Sequence, residues 1–302
     1  MKVYIVIATY NGKQWYDRCF GSLRDVDLSK STVVVDNASS DDTVRFTKCN
    51  YPEIKLIESK VNLGFGRANN IGIHYALDNG ADYVFLLNQD AWIEKDTIEK
   101  LVSVHISHPD FGILSPVHLN TDRTEIEEFF RGYLSPLWGC NDFISDRYFN
   151  KTKEVYETNF VSAAAWLLSR KCIQTVGFFD SVFFHYGEDD NYAQRVLYHK
   201  FKIGIVPESR AVHDSKQRVI SNNFVLNQRI KDLLIYFSDV RNDNFKEIPK
   251  VILSFWLKAF YLLLKFKPRE AKQSFREGLM LAGIKKLIVR NVKVNREASI
   301  KF

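Results

Sequence analysis

Short apolar, often β-branched runs alternate with stretches of helical period through residues 1–115. Residues 2–8 form a nearly continuous apolar run, 13–24 carry a helical period, and 31–35 are Val-rich up to a break at Asp36-Asn37. Residues 41–48 predict a short helix, 54–58 a strand, and 66–79 a helix closed by Gly80. Residues 82–87 predict a fourth strand running into Asn88-Gln89-Asp90. Apolar strands separated by helices predict an α/β layer, a mostly parallel sheet with helices on both faces.

Ligands of such sheets bind beyond the carboxyl ends of the strands. The residues that end the predicted strands are polar each time: Thr9-Tyr10-Asn11, Asp36-Asn37 and Asn88-Gln89-Asp90. Asn and Asp are also ordinary turn residues, but three such sets on one edge predict a site.

Farther along, residues 118–160 read as loops with minor strands and scattered aromatics. An apolar stretch at 161–168, helices at 170–176 and 189–200, and a strand at 202–206 follow, and Val212-His213-Asp214 is another polar strand end. From residue 222 onward the pattern is helical. This predicts a body over 1–221, its first part (1–115) a nucleotide-binding layer and its second spanning 116–221, and a helical basic tail over 222–302.

Composition narrows the class. A chain of 302 residues, 46% hydrophobic, with 14 Gly and 7 Pro, is neither low-complexity nor a disulfide miniprotein. Cys19, Cys49, Cys140 and Cys172 form no CxxC pair, so they read as buried thiols of a cytoplasmic protein without structural zinc. The first residues read as a strand and turn rather than a secretory leader. The net charge of +6 is uneven: residues 245–302 hold fourteen Lys/Arg against four Asp/Glu, leaving 1–244 at −4. An acidic body with no nucleic-acid-binding motif speaks against a nucleic-acid partner. In the tail, residues 251–264 are too short for the ~20 apolar residues of a membrane span. On a helix, Glu247, Lys250, Ser254, Lys258, Tyr261 and Lys265 fall in one polar stripe about 80° wide. A second basic helix starts at Pro268. The tail is expected either to lie on anionic headgroups at the cytoplasmic face of a membrane or to pack against the body or a second copy in a homodimer.

Five ordered segments resemble something specific: 7–11 (IATYN), 34–41 (VVDNASSD), 62–72 (NLGFGRANNIG), 86–90 (LLNQD) and 187–190 (GEDD). Together they resemble the family 2 glycosyltransferases, most nearly the rhamnosyltransferase-like branch, over roughly residues 1–215. The resemblance implies a GT-A fold and inverting transfer of a sugar from a UDP- or dTDP-sugar to a hydroxyl of a glycan or lipid-linked acceptor in surface polysaccharide synthesis. By it, Thr9, Tyr10, Asn11 and Asp36 contact base and ribose. Asn62, Gly64, Arg67 and Asn69 lie in the segment facing the diphosphate, and glycines before a helix N-terminus suit a phosphate on physical grounds as well. Asn88 and Gln89 complete the donor site. Asp90 offers a hard carboxylate to Mn2+ or Mg2+, while the amide of Asn88 weakens the set, and His213 matches a late histidine that completes the metal site. Asp189 is the expected general base, with Glu188 orienting it or touching acceptor, and Trp166 is expected either to stack on the acceptor sugar or to sit in the core.

Rival readings fit less well. A dinucleotide fingerprint would follow the first strand and carry glycine where Asn69 stands. A nucleotidyltransferase would need a Gly-rich basic loop where Thr9-Tyr10-Asn11-Gly12-Lys13 stands. A catalytically silent nucleotide-sugar-binding or scaffold protein would not need Asp90 and Asp189.

Overall fold

The structure is a computed structural model that describes residues 1–24, 26, 31–215 and 224–297, with side chains of the last segment from 230 onward. Its strands are β1 (Val3–Thr9), β2 (Thr32–Asp36), β3 (Lys55–Glu58), β4 (Tyr83–Leu87), β5 (Ala91–Ile93), β6 (Phe111–Leu119), β7 (Tyr156–Thr158), β8 (Ala165–Ser169) and β9 (Lys202–His213). The helices of the body are α1 (Tyr16–Arg24), α2 (Thr43–Asn50), α3 (Phe65–Asp78), α4 (Thr97–Ser107), α5 (Glu128–Tyr133), α6 (Phe143–Tyr148), α7 (Arg170–Val176) and α8 (Glu188–Tyr198). Three more, α9 (Phe224–Ser238), α10 (Ile248–Leu264) and α11 (Pro268–Glu297), follow the sheet. The expected boundary at 221/222 lies outside the described residues.

The strands make one sheet in the order β3-β2-β1-β4-β8-β6-β9-β5, with β7 on β9. Its first four strands are parallel, as the alternating pattern predicts. Beyond β4 the pairing is mixed: β8 runs antiparallel to β4 and β6, whereas β9 runs parallel to β6 and antiparallel to β5 and β7. Successive strand residues face opposite layers. Val6, Val33, Val84 and Leu86 pack under α3, α7 and α8, while Ile5, Ile7, Val34 and Phe85 pack under α1 and α4.

The structure extends the sequence reading where the local signal is weak. Residues 118–160 fold into α5, α6 and β7 as well as loops. The strand expected at 202–206 continues to His213. Pro116 interrupts the apolar run of β6 and sits at a register shift against β9, where a missing N–H is tolerated. Cys49 corrects the reading of four buried thiols: it is exposed near the end of α2, whereas Cys19, Cys140 and Cys172 are buried. The three C-terminal helices build a core of their own around Ile230, Leu234, Phe237, Ile252, Phe255 and Leu281, and Phe183 of the body is part of it.

Candidate active site

Where β1, β2 and β4 end, their polar residues meet. Thr9 Oγ1 lies 2.6 Å from the Tyr16 hydroxyl and donates to Gln89 Oε1 at 2.6 Å. Gln89 also accepts from the Tyr10 backbone N–H at 2.9 Å, so it clasps the ends of β1 and β4 together. Asn37 donates to Asn62 Oδ1 at 2.9 Å and accepts from the Leu63 N–H at 2.7 Å, which fixes the loop ahead of α3. Gly64 closes that loop at φ +81°, and a Cβ there would sit 1.8 Å from the Phe184 carbonyl oxygen. Glycine is required twice over, by the dihedral and by the close approach.

These strand ends form one wall of a cavity of about 680 Å³, within the size of small-molecule sites. The pairing of β5 with β9 sets Ala91 opposite His213, which brings that histidine beside Asp90. His213 Nε2 is 3.6 Å from Asp90 Oδ1. Both those atoms and Asn88 Oδ1 are buried without a hydrogen-bond partner. Buried polar groups rarely go unsatisfied, and two oxygens with an imidazole nitrogen suit Mn2+ or Mg2+. Among the described residues no three His, Cys, Asp or Glu side chains are grouped to hold an ion unaided. Behind His213 the buried His118 ring stands 5.9 Å away, its protonated form disfavoured by burial and then by His213.

The opposite wall is acidic. Glu188, Asp189 and Asp190 open α8 behind Gly187 (φ +94°), and all three border the cavity. Asp189 Oδ1 accepts from the Asp190 N–H at 3.0 Å, and Oδ2 faces the Ala163 N–H at 3.5 Å. Burial raises all three carboxyls. Glu188 is pushed up to about 8 and Asp190 to about 7, with the charge of Asp189 adding to each, and Asp189 itself is raised. Lys231 of α9 reaches the same cavity and opposes the shifts of Asp189 and Asp190. Beside the acids, Tyr133, Trp138 and Phe160 form an aromatic corner with ring centroids 5.2–5.7 Å apart. Such faces take the apolar side of a sugar ring.

Residues 4–177, more than half of the chain, match the profile of Glycosyl transferase family 2. The chain belongs to that family. Among curated relatives of this family 2 transferase, the Haloferax volcanii low-salt glycan biosynthesis hexosyltransferase Agl10 is 26% identical over 70% of this chain and 66% of its own. The Shigella flexneri dTDP-rhamnosyl transferase RfbF is 24% identical over 70% and 68%. The Mycobacterium tuberculosis N-acetylglucosaminyl-diphospho-decaprenol L-rhamnosyltransferase is 26% identical over 69% and 75%. The chain thus spans about two-thirds of the length of the first two relatives. Among solved structures, Staphylococcus aureus TarS 1–349 with UDP superposes at a TM-score of 0.57 and 13% identity, over 98% of this chain and 89% of that one. The Pyrobaculum calidifontis mannosyltransferase PcManGT with GDP-Man and Mn2+ superposes at 0.55 and 16%, over 97% and 73%. The fold is GT-A with a C-terminal helical segment.

Of the residues singled out in the sequence of this family 2 transferase, Thr9, Tyr10, Asn62, Gly64, Asn88, Gln89, Asp90, Glu188, Asp189 and His213 border the cavity. Asp36 and Asn11 stand behind it. Asp36 accepts from the Ser39 N–H and keeps Oδ1 buried without a partner, while Asn11 Oδ1 holds the Ser40 N–H. Arg67 is exposed and donates to the Ser181 carbonyl at 2.6 Å, a brace between α3 and the loop before α8. Asn69 is buried on α3 and donates to the Phe65 carbonyl. Trp166 is fully buried between Phe179 and Tyr192, which decides for the core against acceptor stacking. Sequence reasoning missed Lys231 and the aromatic corner, and it placed Asn37 at a polar strand end without giving it a role. Asn37 stands next to the chosen Asp36, and the aromatics were visible only as scattered rings in an irregular stretch.

Proposed function

We propose that this transferase moves a sugar from a UDP- or dTDP-sugar, with inversion, to a hydroxyl of a glycan or lipid-linked acceptor in surface polysaccharide synthesis, in the cytoplasm at a membrane surface met by residues 245–302. The observation that carries the reading is one cavity with an unsatisfied Asp90–His213 pair on one wall and the Asp189 carboxylate on the other. A dTDP-rhamnosyl transferase and an L-rhamnosyltransferase among the relatives support the donor and acceptor classes. The donor half is 1–115 and the acceptor half 116–221, with His213 of the second half reaching across to Asp90.

Thr9, Tyr10, Gln89 and Asn37 hold the nucleoside end, with Asp36 and Asn11 fixing the loop behind them. Asn62 and Gly64 shape the loop along the diphosphate. Asp90, His213 and the amide of Asn88 would hold Mn2+ or Mg2+, which supplies positive charge to the departing diphosphate. Asp189 takes the proton of the acceptor hydroxyl as its oxygen bonds to the anomeric carbon and the bond from that carbon to the diphosphate breaks. A single displacement inverts that carbon. Glu188, protonated at neutral pH, leaves Asp189 with one fewer charged neighbour. Tyr133, Trp138 and Phe160 seat the acceptor sugar in the place expected of Trp166.

A matched pair of variants tests the roles by nucleotide release with and without acceptor. Asp189→Asn is expected to lower kcat by roughly 10²–10⁴ with donor affinity retained. Asp90→Ala, like EDTA, should weaken donor binding itself. An Asp189→Asn enzyme at full turnover would refute the base, and nucleotide binding without any acceptor-dependent release would identify a silent binding protein.

A further inference from the structure

The helix α10 has three faces, not two. Ile248, Ile252, Phe255, Ala259 and Leu262 are buried on the side that packs on α11, the first three in a core shared with α9. Lys250, Ser254, Lys258, Tyr261 and Lys265, with Glu247 just ahead of the helix and held by the Tyr236 hydroxyl, form the polar stripe that the sequence predicts, and all are exposed. Between these lies an apolar stripe about 120° wide on the helical wheel: Leu253, Trp256, Leu257, Phe260, Leu263 and Leu264, each 39–63% exposed. The stripe continues onto α11. The Trp256 indole lies over Gly278, where a Cβ would meet Nε1 at 2.5 Å, with the Phe275 ring 6.3 Å away and Leu279 half exposed beyond. On the α11 side Lys272 and Arg276 border it, so cations flank the apolar strip on both edges. No Asp or Glu occurs in α10.

We propose that this strip is a docking surface for a bilayer rich in anionic lipid, with α10 lying in the headgroup plane. This rests on the proposed use of a lipid-linked acceptor and names the surface that would meet it. Exposed apolar area of this extent is uncommon on a soluble monomer unless it binds something. Its two basic borders choose the partner, because anionic headgroups supply opposite charge at the depth where an interfacial helix sits. A second copy would bring lysines against lysines. Among the described residues no helix is long and apolar enough to cross a membrane, and α10, at 17 residues, is ~26 Å long with Lys258 in its second half. Through Phe255 and Ile252 it packs in the core that also holds Phe183, five residues before Glu188. The surface is therefore carried on the same core as the segment that leads into the acidic wall of the cavity.

Sedimentation of the full-length protein with phosphatidylcholine vesicles, with and without phosphatidylglycerol, tests this. The wild type should pellet with the anionic vesicles and be released by high salt, which shortens the screening length to about 3 Å near 1 M. Leu257→Glu/Phe260→Glu, both at exposed positions, should keep the wild-type melting temperature and vesicle-free nucleotide release while partition falls about ten- to a hundredfold. Lys258→Glu/Lys265→Glu should lose binding to anionic vesicles at low salt. Wild-type protein left in the supernatant with anionic vesicles, or binding untouched by either variant, overturns the proposal. So does a wild-type dimer that Leu257→Glu turns into a monomer. Loss of nucleotide release in the wild type without vesicles would instead strike the proposed transfer and leave vesicle binding standing.

Discussion

Glu188 is the most enclosed of the three carboxyls that open α8, and its Oε2 has no hydrogen-bond partner. Its carboxyl is largely shielded from water, and Asp189 and Asp190 stand on the same turn, so the neutral form is favoured up to about 8 against an ordinary value of 4.5. The unfolded chain gives up this proton at the ordinary value and the folded chain holds it. The stability tied to the neutral acid is therefore complete below about 4.5 and drains away as pH rises through about 8. Asp190, raised to about 7, acts in the same direction. Melting scans from pH 5 to pH 8 should show wild-type stability falling across the range, with Glu188→Gln shallower and melting above wild type at pH 8. Equal slopes would mean that Glu188 is ionised in the native state.

At the scale of elements, the site depends on two loops that touch: 62–64 before α3 and 183–187 before α8. Gly64 and Gly80 share φ +81°, yet a Cβ at Gly64 meets the Phe184 carbonyl whereas Gly80 faces open space. Gly80→Ala should cost on the order of 1 kcal/mol through the backbone alone and leave kinetics unchanged. Gly64→Ala costs more in the backbone alone, because φ +81° with ψ 170° is a region that essentially only glycine occupies, and one of the loops must also move. Its melting temperature is expected to fall further, and donor KM to rise more than kcat falls. Calorimetry and donor titration of the two variants check this. Arg67 belongs to the same contact: its guanidinium reaches the Ser181 carbonyl and so steadies the acidic wall from α3.

In the whole molecule, the C-terminal helices are part of the catalytic body. Phe183 joins Ile230, Phe237, Ile248, Ile252 and Phe255 in one core. Asp180 accepts from the amides of Asn291 and Asn295 at 2.5 and 2.8 Å, and the Arg296 guanidinium donates to the Val240 carbonyl. Ending the chain after Asn244 would strip that core of α10 and α11. Such a truncated protein is expected to melt several degrees lower and to lose transfer even to a water-soluble acceptor, as thermal scans and nucleotide release would show. Unchanged activity would mean that the acidic wall holds without its buttress.

The sequence alone determined the strand ends. Thr9, Asn88, Gln89 and Asp90 follow apolar runs directly, and a polar residue at the end of a buried strand is a local signal. It likewise placed Glu188 and Asp189 at a helix start and the polar stripe of α10, because those depend on periodicity. Only the tertiary structure decided what depends on which distant element packs where. His213 meets Asp90 through the register of β5 on β9, and the antiparallel half of the sheet arises the same way. Lys231 enters the cavity because α9 folds back over Gly187. Trp166 turns inward because its face of β8 is covered by Phe179 and Tyr192, and the rings that border the cavity are instead Tyr133, Trp138 and Phe160. Local sequence fixes which side chains are polar and how often they recur. Which of two faces a neighbour covers is settled by long-range packing, and no window of sequence contains it.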